Sequence, residues 1–172
     1  MSIKFNRVWA MPSKDTYSIK PIKELLADNI NPFGYNIDPF SGNNPYKDLF
    51  ISNDLDPEIE SDNTMDALDF LKVIPIDCVD LVLFDPPYSP RQVSECYKKL
   101  GRTVNMETTQ SSYWAKLKVE ISRVTKKGGK VISFGWNSGG IGKKYGFELK
   151  EVLLVPHGGA HNDTICTLES RI

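Results

Sequence analysis

"VDLVLFDPPYSPRQ", residues 79–92, is the stretch whose reading decides the fold. Six residues of buried-strand character, Val79 to Phe84, run directly into Asp85, Pro86, Pro87 and Tyr88. A run of this length, apolar but for Asp80, suits a central strand covered on both faces. In an open α/β sheet, ligands sit beyond the carboxyl ends of the strands, so the carboxylate at this tip marks a candidate site. Consecutive prolines fix φ at two positions and remove two amide donors, leaving a carbonyl of the turn free to accept. Asp85 adds a carboxylate acceptor and Tyr88 an aromatic face. Together they suit an amino group on a planar ring, held through its two hydrogens with its lone pair aimed at an electrophile. The work is positioning, and no strong base is required.

Working outward, the other elements alternate. "YSIKPIKELLADNI" opens an amphipathic helix near Pro21, a residue tolerated in a first turn. "GYNIDPFSGNN" reads as a brief strand ending at Ile37 and then a turn, and "KDLFISNDLDP" as a strand over Leu49 to Ser52. "DALDFLKVI" places Ala67, Leu68, Leu71 and Ile74 at helical spacing. Downstream, Pro90 to Leu100 and Ser112 to Thr125 read as helices, the second with a stripe of Trp114, Leu117, Ile121 and Val124. "KKGG" stops it, and "KVISFGW" is a strand. "FELKEVLLVPHGG" and "NDTICTLES" form a closing antiparallel pair. The expected architecture is α/β: a three-layer, doubly wound arrangement of about seven mostly parallel strands ending in an antiparallel hairpin. Only about six residues separate Gly42 from Leu49, so the helix usual between such strands shrinks to a turn.

At 172 residues the chain is expected to be one domain over 1–172. No apolar run approaches the roughly 18 residues of a membrane span, and "MSIKFNRVWAMPSK" lacks a signal-peptide core, giving a cytoplasmic expectation. Cys78, Cys96 and Cys166 are few, scattered and odd in number, so neither a disulfide framework nor a metal site is expected. The formal net charge of −1 hides a gradient. Residues 1–88 carry 7 Lys/Arg against 15 Asp/Glu, and residues 89–130 carry 10 against 3. A basic block directly after Tyr88 is the composition expected beside a polyanion, and a solvated helix face reads the same way. Arg91, Lys98, Lys99, Arg102, Lys116 and Lys118 are the candidate phosphate contacts. Several inferred strands also end in carboxylates, at Asp38, Asp54 and Asp85 with Asp66 nearby, as one polar cleft would require.

"DPPY" after an apolar strand resembles the catalytic motif of S-adenosylmethionine-dependent DNA amino-methyltransferases acting on adenine. In order, "SIKPI", "DPFSGN", "NDLDP", "DPPY", "YWAKLK", "GGKVISFGWNS" and "HGGAHNDTI" resemble the small phage- or mobile-element-encoded members, from about residue 9 to residue 168. The resemblance implies a Rossmann-like class I methyltransferase fold, DNA as partner, and base flipping, either as isolated methylation or within restriction-modification. It makes Asp85, Pro86, Pro87 and Tyr88 catalytic. It assigns Asp38, Pro39, Phe40 and Gly42 to the cofactor loop, Asp54 with Leu55 to the ribose, and Asp66, Ala67 and Leu68 to the cofactor's adenine, with Asp69 beside Phe70 as the competing choice. Ile19 and Lys20 would close over the methionine end. On the substrate side stand Tyr88, Arg91 and Trp136, the last either on a flap over the cleft or packed in the core. His157, His161 and Asn162 either line the base pocket or hold their loop. Residues 89–112 are the candidate for a minimal target-recognition insertion. Otherwise a homodimer or a separate specificity subunit supplies recognition. The alternatives are the same fold acting on a cytosine amine, RNA or a glutamine side chain, and a non-catalytic cofactor- or DNA-binding subunit.

Overall fold

A computed structural model describes residues 2–101 and 111–172. Its strands are β1 (Lys4–Arg7), β2 (Asn36–Asp38), β3 (Ile51–Asp54), β4 (Asn63–Thr64), β5 (Val79–Phe84), β6 (Thr125–Gly135), β7 (Phe147–Val155) and β8 (Thr164–Arg171). Its α-helices are α1 (Lys20–Asn29), α2 (Ala67–Val73), α3 (Pro90–Lys99) and α4 (Ser111–Val124). The strands form one sheet in the order β1-β7-β8-β6-β5-β2-β3-β4. Every pairing is parallel except those of β8, which runs antiparallel to both β6 and β7. The expected mostly parallel sheet with a closing hairpin is therefore present, with eight strands rather than about seven.

β5 lies inside the sheet and divides its side chains between two cores. Leu81 and Leu83 pack with Ile22, Leu25 and Leu26 of α1. Val82 and Phe84 pack with Phe70 and Leu71 of α2 and with Leu117 and Ile121 of α4. This two-sided burial is the reason the run is apolar at every position but Asp80, and it fixes three layers: α1, the sheet, then α2 with α4. α3 belongs to neither layer and lies instead over the carboxyl end of the sheet.

Three local differences have physical causes. The strand expected over Leu49 to Ser52 is displaced to Ile51–Asp54, because Lys47–Leu49 forms a 3-10 turn. That turn is all that occupies the short link after Gly42. "KKGG" stays within β6 as an irregularity, with Val79 facing Thr125 and then Leu81 facing Lys130. Gly128 takes φ +78° there, a conformation open to glycine. β1 and β4 were not expected. β1 is a surface strand with Phe5 65% exposed, and β4 has only two residues, so neither carries a burial pattern.

Candidate active site

The tips of β2, β3 and β5 open into one cavity of about 570 Å³. Pro39, Phe40 and Gly42 enter from the β2 turn, Asp54 and Leu55 from β3, and Asp66 and Ala67 from the start of α2. Asp85, Pro86, Pro87 and Tyr88 form the wall after β5. The β2 turn is held by hydrogen bonds. Asp54 Oδ2 accepts from Gly42 N at 2.9 Å and Oδ1 from Asp56 N at 2.9 Å, which ties that turn to the tip of β3. Gly42 has φ +47°, and a Cβ built on it meets no protein atom within 4 Å, so open space lies beside it. Ser41, 1% exposed, also lines the cavity, and its hydroxyl has no partner among the described residues.

Asp85 and Pro86 stand side by side in the turn after β5 and both face the cavity. No donor among the described residues reaches the Pro86 carbonyl. Tyr88 N donates to Gln92 Oε1 at 2.6 Å, so the turn is clamped to α3, whose own first turn is capped by Ser89 Oγ. The Tyr88 hydroxyl donates to Asp85 Oδ1 at 2.5 Å, and Thr16 also bonds Asp85. Burial pushes the Asp85 carboxyl up to about 6, against the pull of those two hydroxyls. Burial likewise raises the Tyr88 phenol, reinforced by the Asp85 charge.

Asp38 lies beneath this cavity, not in its wall. It is fully buried and spends its carboxylate on Asn44 Nδ2 at 2.8 Å, Phe40 N at 3.3 Å and the Tyr17 hydroxyl at 3.3 Å. Burial raises it to about 7, with the Asp85 charge adding, while those donors pull it back. Its part is to hold the loop that Pro39 to Gly42 present. Asp66 does line the cavity and also caps α2 by accepting from Leu68 N at 2.9 Å. Leu68 itself packs in the core rather than at the cavity. Asp69 is exposed and paired with Lys72, so the structure separates the two competing aspartates.

Other expected site residues lie away from the cavity wall. Ile19 is a core residue at 5% exposure and Lys20 is exposed; the cavity takes its N-terminal wall from Lys14, Asp15, Thr16 and Tyr17 instead. The segment is the expected one, but the helix begun at Lys20 turns those two side chains away. His157 is buried, with Nδ1 2.9 Å from Ala10 O and Nε2 2.8 Å from Thr164 Oγ1, so it holds its loop and does not line the cavity. His161 and Asn162 are exposed and also lie outside the cavity. Arg91 is exposed and paired with Glu95. Trp136, of the two places open to it, is not in the core: it is 43% exposed, with its ring edge-on to Tyr88 at 5.6 Å between centroids.

Tyr97 and Tyr113 are site residues that the sequence did not single out. Both line the cavity, and their hydroxyls donate to Asp66, at 2.5 Å for Tyr97 and 3.1 Å for Tyr113. A phenol at that spacing in a helix also reads as ordinary amphipathic packing, so no sequence signal distinguished them. The basic block is likewise divided. Lys98 and Lys116 are exposed on α3 and α4, but Lys126 pairs with Asp80 and Lys130 with Asn29 at the opposite end of β5. Asp80 is about 17 Å from Asp85 at strand rise. Lys99 pairs with Asp56, Lys118 bonds Gly140 O, and Arg102 lies outside the described residues, as does the irregular part of the 89–112 segment. Among the described residues no group of ligating side chains is arranged to hold a metal ion, and no helix is long and apolar enough to cross a membrane.

No family model matches the chain, and no curated protein matches it in sequence. Solved structures do. TrmN from Thermus thermophilus aligns over 90% of this chain with TM-score 0.56 and 18% identity; the chain spans about half of TrmN, 49% of its length. The Burkholderia thailandensis 1,6-didemethyltoxoflavin-N1-methyltransferase, solved with S-adenosylhomocysteine, aligns over 88% of this chain and 77% of its own, with TM-score 0.58 and 9% identity. The Streptococcus mutans protein SMU.1697c, in complex with SAH, aligns over 94% of this chain and 100% of its own, with TM-score 0.55 and 12% identity. The fold is that of the class I methyltransferases. At these identities the likeness defines the architecture, and the chemistry must be argued from the cavity.

Proposed function

We propose that the chain is an S-adenosylmethionine-dependent DNA methyltransferase acting on the exocyclic amino group of adenine. The observation that carries this reading is that Asp85 and Tyr88 share one cavity with Gly42 and Asp54, the residues that the resemblance assigns to the cofactor.

The residues present fit that cofactor. The cavity is within the roughly 300–1,000 Å³ range of ligand pockets. It is lined by Asp15, Asp54, Asp56, Asp66, Asp85 and Glu95 against Lys14 and Lys99, an acidic balance suited to a ligand carrying a sulfonium and an ammonium. The unpartnered Ser41 hydroxyl and the open space beside Gly42 are where a ligand would complete the wall. Asp54 and Leu55 would hold the ribose, and Ala67 with Asp66 the adenine. When bound, the cofactor supplies an electrophilic methyl group and departs as a neutral thioether.

Every remaining task belongs to this chain. Asp85 accepts one N–H of the incoming amine and the free Pro86 carbonyl accepts the other, which aims the nitrogen lone pair into the cavity. Tyr88 covers the flipped ring. As the new N–C bond forms, the surplus amine proton passes to Asp85, whose raised affinity for protons suits the receiving role. A base inside a duplex must be extruded to reach this turn. An aspartate rather than serine or asparagine before "PPY" favours adenine over the cytosine, RNA and glutamine alternatives, by the resemblance. Lys98 and Lys116 are exposed beside the cavity helices for phosphate.

Incubation with methyl-labelled cofactor and DNA should transfer label to adenine, recovered as N6-methyladenine after digestion to nucleosides. Asp85→Ala should abolish transfer and leave cofactor binding intact. Label in RNA or protein alone, or full activity in the variant, would end the proposal.

A further inference from the structure

α3 lies over the carboxyl end of the sheet with little apolar anchorage. Val93, 1% exposed, is the only buried side chain among its described residues, and it belongs to neither core cluster. A helix in a folded chain is held mainly by the packing of an apolar face, and one buried side chain supplies little of that. Polar ties hold α3 instead, and they end on residues of the cavity. Lys99 pairs with Asp56 at 3.0 Å, the Tyr97 hydroxyl donates to Asp66 at 2.5 Å, and Gln92 Oε1 accepts from Tyr88 N at 2.6 Å. Asp56 and Asp66 stand on the side of the cavity given to the cofactor, and Tyr88 belongs to the turn that meets the amine.

The Gln92 tie has a plain alternative reading. Ser-Pro-Arg-Gln at 89–92 has the spacing of a capping box, in which the glutamine reaches back to the N–H of the capping serine. The serine does its half, since Ser89 Oγ accepts from Gln92 N at 3.2 Å. The glutamine departs from the pattern. Its oxygen goes past Ser89 to the N–H of Tyr88, which lies outside the helix. That bond serves the turn as well as the helix.

The turn has a specific need for it. Its prolines fix φ at residues 86 and 87, so its remaining freedom lies in ψ of those two residues and in the backbone at Tyr88. Those angles decide whether the Asp85 carboxylate and the Pro86 carbonyl converge on one point. The Tyr88 hydroxyl, 2.5 Å from Asp85 Oδ1, ties the turn only to itself. Gln92 ties it to a helix anchored across the cavity.

We propose that Gln92 is a positioning residue of the transfer reaction, holding the Tyr88 N–H from α3 so that Asp85 and the Pro86 carbonyl grip one amine. The inference rests on the proposed methyltransferase reading for what the turn grips, and on the hydrogen bonds of α3 for how the turn is held. Misplacing reacting groups by about 1 Å can cost about a hundredfold in rate, whereas a lost helix cap costs stability. The two readings of Gln92 therefore part in kcat.

The test compares Gln92→Leu, which keeps the bulk and removes the acceptor, with Gln92→Glu, which keeps an acceptor oxygen at the same reach. In the labelled-methyl assay at saturating cofactor and DNA, Gln92→Leu should lower kcat about 10- to 100-fold. Its affinity for S-adenosylhomocysteine in calorimetric titration should be unchanged, and Gln92→Glu should recover most of the lost kcat. In protein labelled with 15N-tyrosine, exchange of the Tyr88 amide hydrogen should quicken about tenfold in Gln92→Leu and slow again in Gln92→Glu. Unchanged kcat in Gln92→Leu, kcat and S-adenosylhomocysteine affinity lost together, or unaltered Tyr88 exchange overturns the inference and leaves the DNA reading intact. If the wild type transfers label to RNA or protein and not to DNA, the DNA reading falls, and the same kcat comparison with that acceptor decides on Gln92. If it transfers label to nothing, the exchange rates decide: quickened in Gln92→Leu and restored in Gln92→Glu, they support the clamp, and unaltered they overturn it.

Discussion

Tyr88→Phe isolates the part of the site that the structure quantifies best. The substitution keeps the ring and removes one hydroxyl, the donor 2.5 Å from Asp85 Oδ1. Burial raises the Asp85 carboxyl to about 6, and the hydroxyls of Tyr88 and Thr16 hold it from rising further. A hydrogen bond to a charged group is worth about 1.5–3 kcal/mol, and 1.36 kcal/mol corresponds to about one pH unit. Since water at the cavity mouth replaces part of the lost donor, we expect Asp85 to rise by about one pH unit. Only the ionised carboxylate can take up the surplus amine proton, so activity is full above the transition and lost as pH falls through it. A one-unit rise lowers the ionised fraction at pH 6 about fivefold and leaves pH 8 nearly unchanged. Carbon-13 NMR of labelled aspartate carboxyls reads this in the free protein, where two late-titrating carboxylates are expected, Asp38 near 7 and Asp85 near 6. The acid limb of kcat/KM, which reports the free enzyme, should follow the Asp85 midpoint. Wild-type Asp85 titrating in the ordinary carboxylate range, or a midpoint unmoved by Tyr88→Phe, would refute the reasoning.

Other perturbations separate function from stability. Because Asp85 is raised from 3.8 to about 6, its favourable contribution is complete below the lower value and lost as pH rises through the upper, at a cost of at most about 3 kcal/mol at pH 8. Asp85→Asn should therefore abolish transfer yet raise Tm by several degrees at pH 8, with the gain vanishing at pH 4 in calorimetric scans. His157→Ala removes two buried hydrogen bonds that tie Ala10 to Thr164, and should cost about 2–3 kcal/mol in urea unfolding with KM values unchanged. Gly42→Ala incurs left-handed backbone strain of about 1–2 kcal/mol and projects a methyl beside the cavity, whereas Gly146→Ala incurs only the strain. Calorimetric titration with S-adenosylhomocysteine should show weakened binding in the first variant alone.

The central architecture was legible in the sequence because burial is written there as pattern. Val79 to Phe84 is apolar at every position but Asp80, since both faces of β5 are covered, and α1, α2, α3 and α4 begin or end within a residue or two of the expected positions. β1 and β4 were not legible, for a physical reason: an exposed edge strand and a two-residue strand bury too little to impose a period. Charge was the least informative signal. Ten Lys/Arg lie within residues 89–130, but that block spans α3, α4 and the amino end of β6, so folding sends its members to opposite ends of the sheet. His157 misled for a related reason. A buried imidazole whose two nitrogens are both used by the fold has the same sequence appearance as one awaiting a substrate.

The same distinction, between side chains the fold has consumed and those it has left open, decides among the acids at the strand tips. Asp38 is fully buried and occupied by Asn44, Phe40 and Tyr17, so it shapes the loop and cannot reach a ligand. Asp54 gives one oxygen to each of two backbone amides, and a carboxylate has roughly four acceptor sites, which leaves capacity facing the cavity. Asp66 is more heavily used: Leu68 N and the hydroxyls of Tyr97 and Tyr113 all donate to it, with Tyr113 3.1 Å from both oxygens. A ligand amino group arriving at Asp66 must share the carboxylate with two tyrosine hydroxyls. Tyr97 stands on α3, whose Gln92 also holds the Tyr88 backbone, so one helix contacts both the acid at the far end of the cavity and the turn that orients the amine. Occupancy at Asp66 and the placement of Tyr88 are thereby mechanically joined through α3.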